Sequence, residues 1–276
     1  MKNYQNRLII FSKNRACQLN LLLESIEKYS NNIFDDIIIL YTADTEYLNG
    51  YEKHKNLKNS DNIIFYKEKN FKSDLLNLID DSYNLTTFMV DDAVLFNHID
   101  INKTDINNII TNDIICFSLR LGINCNYSHP ANLNYKLGSY EIYERFLRFD
   151  YTKQEPGDFR YPLSTDGHIF NTKLIKNLVS NIDFNNPNTL EANLQRFVML
   201  NNIPKTVICF TESKLVSIPA NLVNNTFNNR HGLEFAISES ELNSRFISGE
   251  IIDLDNMDFS NINGPHKEIK YEFKKG

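Results

Sequence analysis

The apolar positions of the first hundred residues follow two patterns in turn. Four continuous apolar runs have the length of buried strands, and the segments between them carry apolar residues at helical spacing. The runs are RLIIFS at 7–12, DDIIILYTA at 35–43, NIIFYKE at 62–68 and TTFMV at 86–90. Strands that are apolar throughout and separated by helices predict a mostly parallel sheet covered on both faces.

Helices are predicted between and after these strands. CQLNLLLESIEKY, at 17–29, carries four large aliphatic residues on one face. SDLLNLIDDS begins with Ser73, whose hydroxyl suits an N-cap. NPNTLEANLQRFVML, at 186–200, is predicted to enter a helix through Pro187 and Asn188. The sequence therefore predicts the α/β class, with a central sheet flanked by helices.

The second half of the chain is less regular. DIICFSLRLG at 113–122 and KTVICF at 205–210 are predicted strands. The polar and aromatic stretch 124–158 is expected to form a long insertion or a loose helical excursion over the active face. We predict one α/β domain over residues 1–215 and a small C-terminal extension over residues 216–276.

Two adjacent carboxylates, Asp91 and Asp92, end the fourth apolar run in TTFMVDDAVLF. Burying such a pair is unfavourable unless a positive group lies beside it. A hard divalent cation held by carboxylate oxygens and substrate phosphates would meet that need. The alternative is an acidic turn after a strand, since Asp is common in turns. Strand ends in a parallel sheet share one edge, so Ser12–Arg15 should face the same crevice.

Composition excludes several classes of function. A net charge of −6 and a pI near 5.6 argue against nucleic-acid binding. No apolar stretch approaches the roughly 18 to 20 residues of a membrane span, and the opening MKNYQNRLIIFSKNR predicts no signal peptide. The four cysteines show no CxxC spacing and are expected to be buried free thiols, not zinc ligands or disulfides.

The order of these pieces resembles a GT-A type glycosyltransferase. The resemblance is carried by LIIFSKNR, the leucine-rich helix and VDDAVLF, and downstream by DGHIF, NPNTLE and SIPANLVNNTFNNRHG, which are similar to bacterial surface-polysaccharide enzymes of this fold. VDDAVLF looks like the family's DxD region, which binds a divalent metal and the donor diphosphate. Ala93 departs from the commonest form, which has an acidic residue at that position. The resemblance assigns the metal to Asp92 and a ribose or indirect metal contact to Asp91.

The resemblance also implies the donor-binding residues and a cofactor. Ser12, Lys13 and Arg15 would lie beside the nucleotide, and Lys72 and Asp74 would line the nucleoside pocket. The expected cofactor is Mn²⁺ or Mg²⁺, and a UDP-sugar is the favoured donor. For Ser12, Lys13 and Arg15, the alternative interpretation is a solvated loop.

Glu191 and Asp166 are the candidate catalytic carboxylates. Glu191 resembles the general base of an inverting transfer, although Glu is favoured in a first helical turn by the dipole alone. Asp166 lies in an Asp-Gly turn and is its rival, with acceptor binding as its favoured role.

The C-terminal extension is expected to close over the donor site. It would bring His231 to the metal and Arg230 to the diphosphate, with His266 as a second candidate histidine. Solvated loop side chains are the alternative.

The predicted function is sugar transfer from a nucleotide-diphosphate donor to a glycan or lipid-linked glycan, by a metal-dependent enzyme of the hexosyltransferase type. A catalytically silent glycan-binding module is the alternative from another class. A nucleotidyltransferase ranks lower, because SKNRACQ lacks a glycine-rich phosphate loop. We expect a cytoplasmic protein, with peripheral association at the inner face of the membrane left open.

Overall fold

The apolar runs of the sequence form strands of one large sheet. The computed structural model describes residues 4–57, 62–224, 226 and 229–276. Its strands in chain order are β1 (Asn6–Lys13), β2 (Asp36–Thr42), β3 (Ile63–Lys67), β4 (Leu85–Val90), β5 (Ala93–Leu95), β6 (Ile114–Ser118), β7 (Tyr127–Ser128), β8 (Leu133–Asn134), β9 (Glu141–Tyr143), β10 (Phe146–Asp150), β11 (His168–Asn171), β12 (Thr206–Phe210), β13 (Leu215–Ser217), β14 (Glu250–Ile252) and β15 (Phe273–Lys275).

Helices cover both faces of this sheet. They are α1 (Ala16–Tyr29), α2 (Leu48–Leu57), α3 (Phe71–Leu78), α4 (Lys103–Ile109), α5 (Thr172–Ser180), α6 (Pro187–Leu200) and α7 (Glu239–Ile247). Within β1, Leu8 and Ile10 join the core beneath α1, whereas Ile9 and Phe11 join the core beneath α3, α5 and α6. Burial on both faces explains why the strand is apolar at successive positions.

Nine strands of the described chain make the main sheet, in the order β3-β2-β1-β4-β11-β6-β12-β10-β9. The pairs β3–β2, β2–β1, β1–β4 and β6–β12 are parallel, and only β11 and β10 run against the others. The prediction of a mostly parallel α/β sheet flanked by helices is confirmed. Strand order reverses between β1 and β4, which is where ligands bind in open sheets of this kind.

Two local predictions differ from the structure. Asn70, not Ser73, caps α3: its side chain accepts the Ser73 amide at 3.0 Å. Residues 124–158 form β7 to β10 in place of a helical excursion, and β10 pairs with β12 inside the main sheet. Phe146 and Phe149 are almost fully buried there, because they fill the core at this edge of the sheet.

Residues 216–276 pack back on the α1 side of the sheet. β13 pairs antiparallel with β5, so the chain returns beside the acidic pair. α7 contacts α1 and α2, and β14 pairs with β15. Ser217 also bridges to His266, which brings the last part of the chain to the same edge. The proposed boundary at residue 215 stays a prediction.

All four cysteines are buried and free, as the sequence predicts. None of the helices in the described ranges has the length and apolar character needed to cross a membrane.

Candidate active site

The acidic pair lies at the switch point of the sheet. Phe11 of β1 is in register with Val90 of β4, so the residues that follow both strands emerge side by side. The backbone amide of Lys13 donates to Oδ2 of Asp91 at 2.9 Å, and Ser12 Oγ donates to the same oxygen at 2.9 Å. The predicted meeting of these two segments in one crevice is confirmed.

Arg15 supplies the positive charge beside the pair. Its Nη1 lies 3.2 Å from Oδ1 of Asp91 and 2.8 Å from Oδ2 of Asp92, and all three side chains are largely buried. Burial raises the pKa of Asp91 to about 6 against the opposing charge of Arg15, and Asp92 adds to that rise. Burial likewise raises the pKa of Asp92. The two carboxylates therefore share one guanidinium in a dry environment.

Two further residues hold this cluster in place. Asn221, from the C-terminal part of the chain, accepts Arg15 Nε at 2.7 Å through Oδ1 and Nη2 at 2.5 Å through its carbonyl. The Tyr51 hydroxyl lies 2.7 Å from Ser12 Oγ and accepts the Arg15 amide at 3.2 Å. Since Ser12 donates to Asp91, the Tyr51 hydroxyl donates to Ser12. A continuous hydrogen-bond chain thus runs from α2 to the acidic pair.

Asp166 belongs to a second charged cluster. Its Oδ2 lies 3.3 Å from His266 Nε2, 3.3 Å from Ser217 Oγ and 3.5 Å from Arg120 Nη1. Burial opposes its ionisation, but the hydrogen bond from His266 and the charge of Arg120 outweigh burial and lower the pKa of Asp166 to about 2. Asp166 is therefore a fixed anion, and His266, Ser217 and Arg120 all contact the same one of its two oxygens.

Gly167 makes the predicted turn after Asp166. It has φ +70°, and a Cβ there would lie 3.1 Å from a methyl carbon of Leu215. The turn is therefore both left-handed and closely packed, which favours glycine.

Glu191 lies in the first turns of α6 on another wall. Its Oε2 accepts the Thr165 amide at 2.7 Å and the Thr165 hydroxyl at 3.2 Å. Burial, followed by the negative charge of Asp166, raises the pKa of Glu191. The two predicted catalytic carboxylates thus face one cleft, but their environments shift their pKa values in opposite directions.

A cleft of about 640 Å³ joins these groups. Its walls come from the carboxyl ends of the strands, from the start of α6 and from the C-terminal part of the chain. Predicted site residues that line it are Ser12, Lys13, Arg15, Asp91, Asp92, Asp166, Glu191, Arg230 and His231. His266 lines it as well.

Lys72 and Asp74 do not line this cleft. The Lys72 ammonium pairs with the exposed Asp183 at 2.7 Å. Asp74 is buried and accepts the amides of Lys69 at 2.7 Å and Asn70 at 2.8 Å, which stabilises the start of α3. Burial opposes its charge, but these amide bonds prevail and lower the pKa of Asp74.

Arg230 and His231 lie at the cleft mouth with partners of their own. Arg230 Nη1 donates to the Tyr127 hydroxyl and to the His129 carbonyl, both at 2.9 Å. His231 Nδ1 lies 2.8 Å from the carbonyl of Asn229. Within SIPANLVNNTFNNRHG, residues Asn225, Phe227 and Asn228 fall outside the described residues.

The residues around Asp92 fit a cation that takes most of its ligands from bound phosphate and water and only one from the protein. No group of three His, Cys, Asp or Glu side chains in the described part of the chain is arranged to hold a metal ion. One oxygen of Asp92 is bound to Arg15, and no described residue donates to the other. A single carboxylate oxygen together with phosphate and water oxygens is a common shell for Mg²⁺.

Sequence reasoning missed Arg120, Asn221 and Tyr51. Arg120 follows β6, and its position at the carboxyl end of a predicted strand was an available signal. It is buried, and besides Asp166 it binds Asp158 Oδ1 at 3.2 Å and His266 Nδ1 at 3.4 Å. Tyr51 carried no such signal, because it lies within α2, and Asn221 comes shortly after β13, a strand that the sequence did not predict.

Comparison with known proteins gives one similar protein sequence and several similar structures. No family model matches the chain. The chain is 26% identical over 223 residues to the bifunctional glycosyltransferase pgtA of Dictyostelium discoideum, and the alignment covers 71% of this chain but only 29% of pgtA. Crystal structures of S. aureus TarS 1–349, alone and in complex with UDP, share 13% identity with a TM-score of 0.47. They cover 77% and 76% of this chain and 60% and 59% of TarS 1–349.

Proposed function

We propose that the protein is a GT-A fold glycosyltransferase that moves a sugar from a nucleotide-diphosphate donor to a hydroxyl of a glycan or glycolipid. The main support for this proposal is the cleft at the switch point, where Asp91, Asp92 and Arg15 form one wall and Glu191 forms another. The similarity to pgtA, which is named a glycosyltransferase, supports the same activity. A UDP-sugar is the donor that we expect.

The donor diphosphate belongs beside Asp92. Departure of a diphosphate concentrates negative charge, which nearby cations stabilise. Lys13 lines the cleft at this point, whereas Arg15 is already engaged by two carboxylates. A divalent cation, Mn²⁺ or Mg²⁺, would be held by the second oxygen of Asp92 and would supply further charge neutralisation when bound. His231 lines the same cleft and is a further proposed ligand.

Glu191 is the better general base of the two carboxylates. A base must be free to take the proton of the acceptor hydroxyl as its oxygen attacks the anomeric carbon and the bond to the diphosphate breaks. Oε2 of Glu191 is held by Thr165, and burial raises the pKa of the carboxyl, which favours proton uptake. Asp166 is bound to His266, Ser217 and Arg120. We propose that Asp166 orients His266 and the acceptor. We also propose that the transfer inverts the configuration of the anomeric carbon.

The C-terminal extension, residues 216–276, closes one side of the donor site in this proposal. Asn221 anchors it to Arg15, and Glu268 accepts the amides of Leu233, Glu234 and Phe235 at 2.8 to 3.1 Å. These bonds hold the segment that carries Arg230 and His231 at the cleft mouth. Buried free thiols suit a reducing compartment, which supports the proposed cytoplasmic location.

A hydrolysis and transfer screen tests the proposal. The chain would be incubated with UDP-, GDP-, CDP- and ADP-sugars, with Mn²⁺ or with a chelator, and release of nucleoside diphosphate would be measured. We expect release from at least one nucleotide sugar, and loss of that release in the Glu191→Gln variant when an acceptor is present. Glycan binding with no release from any donor would instead favour a silent glycan-binding module.

A further inference from the structure

The loop before β11 is tied to α6 through one carboxylate. Thr165 lies in this loop, directly before Asp166, and is almost fully buried. Its backbone amide and its hydroxyl both donate to Oε2 of Glu191, at 2.7 Å and 3.2 Å. Glu191 follows 26 positions later in the chain, and both residues line the cleft. These two bonds therefore connect separate elements at the site itself.

Ser164 gives the same carboxylate a further donor. Its hydroxyl is buried and accepts an N–H from Nη1 of Arg120 and the backbone amide of Asp166, the latter at 3.3 Å. A hydroxyl has two lone pairs and one proton. Both lone pairs are engaged, so the proton is left to be donated, and Glu191 receives it. The hydroxyl thus links the guanidinium of Arg120 to the carboxylate of Glu191.

The groups that face Glu191 act on its ionisation in both directions. Burial comes first and the negative charge of Asp166 second, and both raise the pKa of Glu191. The groups that lower this pKa are the Thr165 amide, the charge of Arg120 and the Ser164 hydroxyl. The Tyr161 hydroxyl also contacts Glu191, and burial together with that contact raises the pKa of Tyr161, so it stays protonated. A general base must be ionised before it can accept a proton, so the donors of this loop oppose the effect of burial.

A second threonine shows the same contact in a purely local setting. Thr152 donates its amide at 2.9 Å and its hydroxyl at 2.6 Å to Oδ1 of Asp150. These two residues are two positions apart, and neither lines the cleft, so their bonds only stabilise the turn after β10. Thr165 makes the same pair of bonds to a carboxylate of another element, inside the cleft.

We propose that the hydroxyls of Ser164 and Thr165 are positioning groups for the general base, because they keep Glu191 ionised and hold its carboxylate in one orientation. This inference rests on the proposed function, since it concerns the same base. The acceptor proton moves to Glu191 while the acceptor oxygen bonds to the anomeric carbon, and the diphosphate leaves with the electron pair of the broken bond. The two hydroxyls neither gain nor lose a proton. Hydrogen bonds to the ionised form lower the pKa of a carboxyl, so removing either donor should raise the pKa of Glu191.

Thr165→Val tests this role, because valine keeps the branched shape and the backbone amide but has no hydroxyl. We expect the acidic limb of the pH–rate profile of transfer to move to higher pH by about one unit. The rate below this limb should then fall about tenfold, and the rate at high pH should change much less. Thr165→Ser should restore the limb, and Ser164→Ala should move it in the same direction as Thr165→Val.

Thr152→Val is the matched control, because it removes the same kind of bond outside the cleft and should leave the profile unchanged. Circular dichroism melting of each variant checks folding. The transfer assay uses the nucleotide sugar that the screen identifies.

A titration of Glu191 itself tests the inference without any substrate. Carboxyl-carbon NMR of protein labelled with ¹³C-glutamate identifies the Glu191 signal by its absence in Glu191→Gln. We expect the titration midpoint of this signal to rise in Thr165→Val and in Ser164→Ala, and to return in Thr165→Ser.

Separate outcomes address the inference and the function. An unchanged Glu191 midpoint in both Thr165→Val and Ser164→Ala, or a rate that falls equally at every pH, would overturn the inference even if sugar transfer is observed. Wild-type protein that turns over no nucleotide sugar would overturn the proposed function, and with it the catalytic role of the two hydroxyls, whatever the NMR titration shows. A midpoint and an acidic limb that rise together in Thr165→Val and return in Thr165→Ser support the proposal.

Discussion

Replacing Arg15 by Met tests whether one guanidinium stabilises the acidic pair. The substitution keeps much of the side-chain length but removes the charge that lies 3.2 Å from Asp91 and 2.8 Å from Asp92. It also removes the bonds to Asn221. Two adjacent buried carboxylates would then lose the guanidinium that pairs with both of them, which typically lowers stability by about 3–5 kcal/mol.

The pH dependence follows from the pKa of Asp91. Burial raises this pKa from 3.8 to about 6 even with Arg15 present. At about 1.4 kcal/mol per pKa unit, ionised Asp91 already destabilises the folded state by roughly 3 kcal/mol above pH 6. Because the folded-state pKa exceeds the unfolded value, this penalty disappears as the pH falls through 6 towards 4. Without Arg15 the pKa rises further, so the penalty grows and extends to higher pH.

Urea denaturation at pH 5 and pH 8 measures the effect. We expect Arg15→Met to lower the free energy of unfolding by about 3–5 kcal/mol at pH 8 and by clearly less at pH 5, where the carboxyls protonate. Arg148→Met is the control, since Arg148 and Asp113 form a half-exposed pair whose loss should change stability by less than about 1 kcal/mol. An equal deficit at both pH values would refute the electrostatic reasoning and attribute the loss to the Asn221 contacts alone.

Three further predictions concern the proposed reaction. Asp92→Asn should lower donor turnover by orders of magnitude with little change in melting temperature, because Asp91 still pairs with Arg15; normal turnover with chelated metal would contradict the assignment. Glu191→Gln should lower the transfer rate by about a hundredfold to ten-thousandfold with unchanged UDP affinity, and NMR should show an inverted anomer, whereas a retained anomer would argue against this base. Amide exchange of 229–232 should slow when UDP and Mn²⁺ are added together; unchanged exchange with full activity of His231→Ala would make this segment purely structural.

The parallel half of the sheet was predictable because each of its strands contains a run of apolar residues that can be recognised without knowing its neighbours. β1, β2 and β4 are apolar at successive positions, since both faces are buried, and this pattern needs no knowledge of the partners. The convergence of Ser12 and Asp91 then follows from the rule that parallel strand ends share one edge. β10 was not predicted because its apolar run, FLRFD, is short and is interrupted by an exposed arginine.

The charged partners of the site were not predictable from local pattern. Arg120 contacts Asp158 and His266, which lie 38 and 146 positions away in the sequence, so the residues around Arg120 give no indication of either contact. Tyr51 lies on α2, a polar helix with few apolar positions, yet it supports Ser12. Lys72 and Asp74 were expected in the nucleoside pocket, but Lys72 pairs with the distant Asp183 and Asp74 accepts the nearby amide of Lys69.

The placement of β11 has a consequence for the nascent chain. β11 lies between β4 and β6, although it is made some fifty residues after β6. The other neighbour of β6 is β12, which follows later still. A polypeptide that has emerged from the ribosome only as far as Ser118 therefore exposes β6, a strand that is buried along its whole length in the folded protein, with neither of its sheet neighbours yet made. Such an unpaired edge promotes aggregation, so folding of this protein during translation depends on how quickly the following segments emerge.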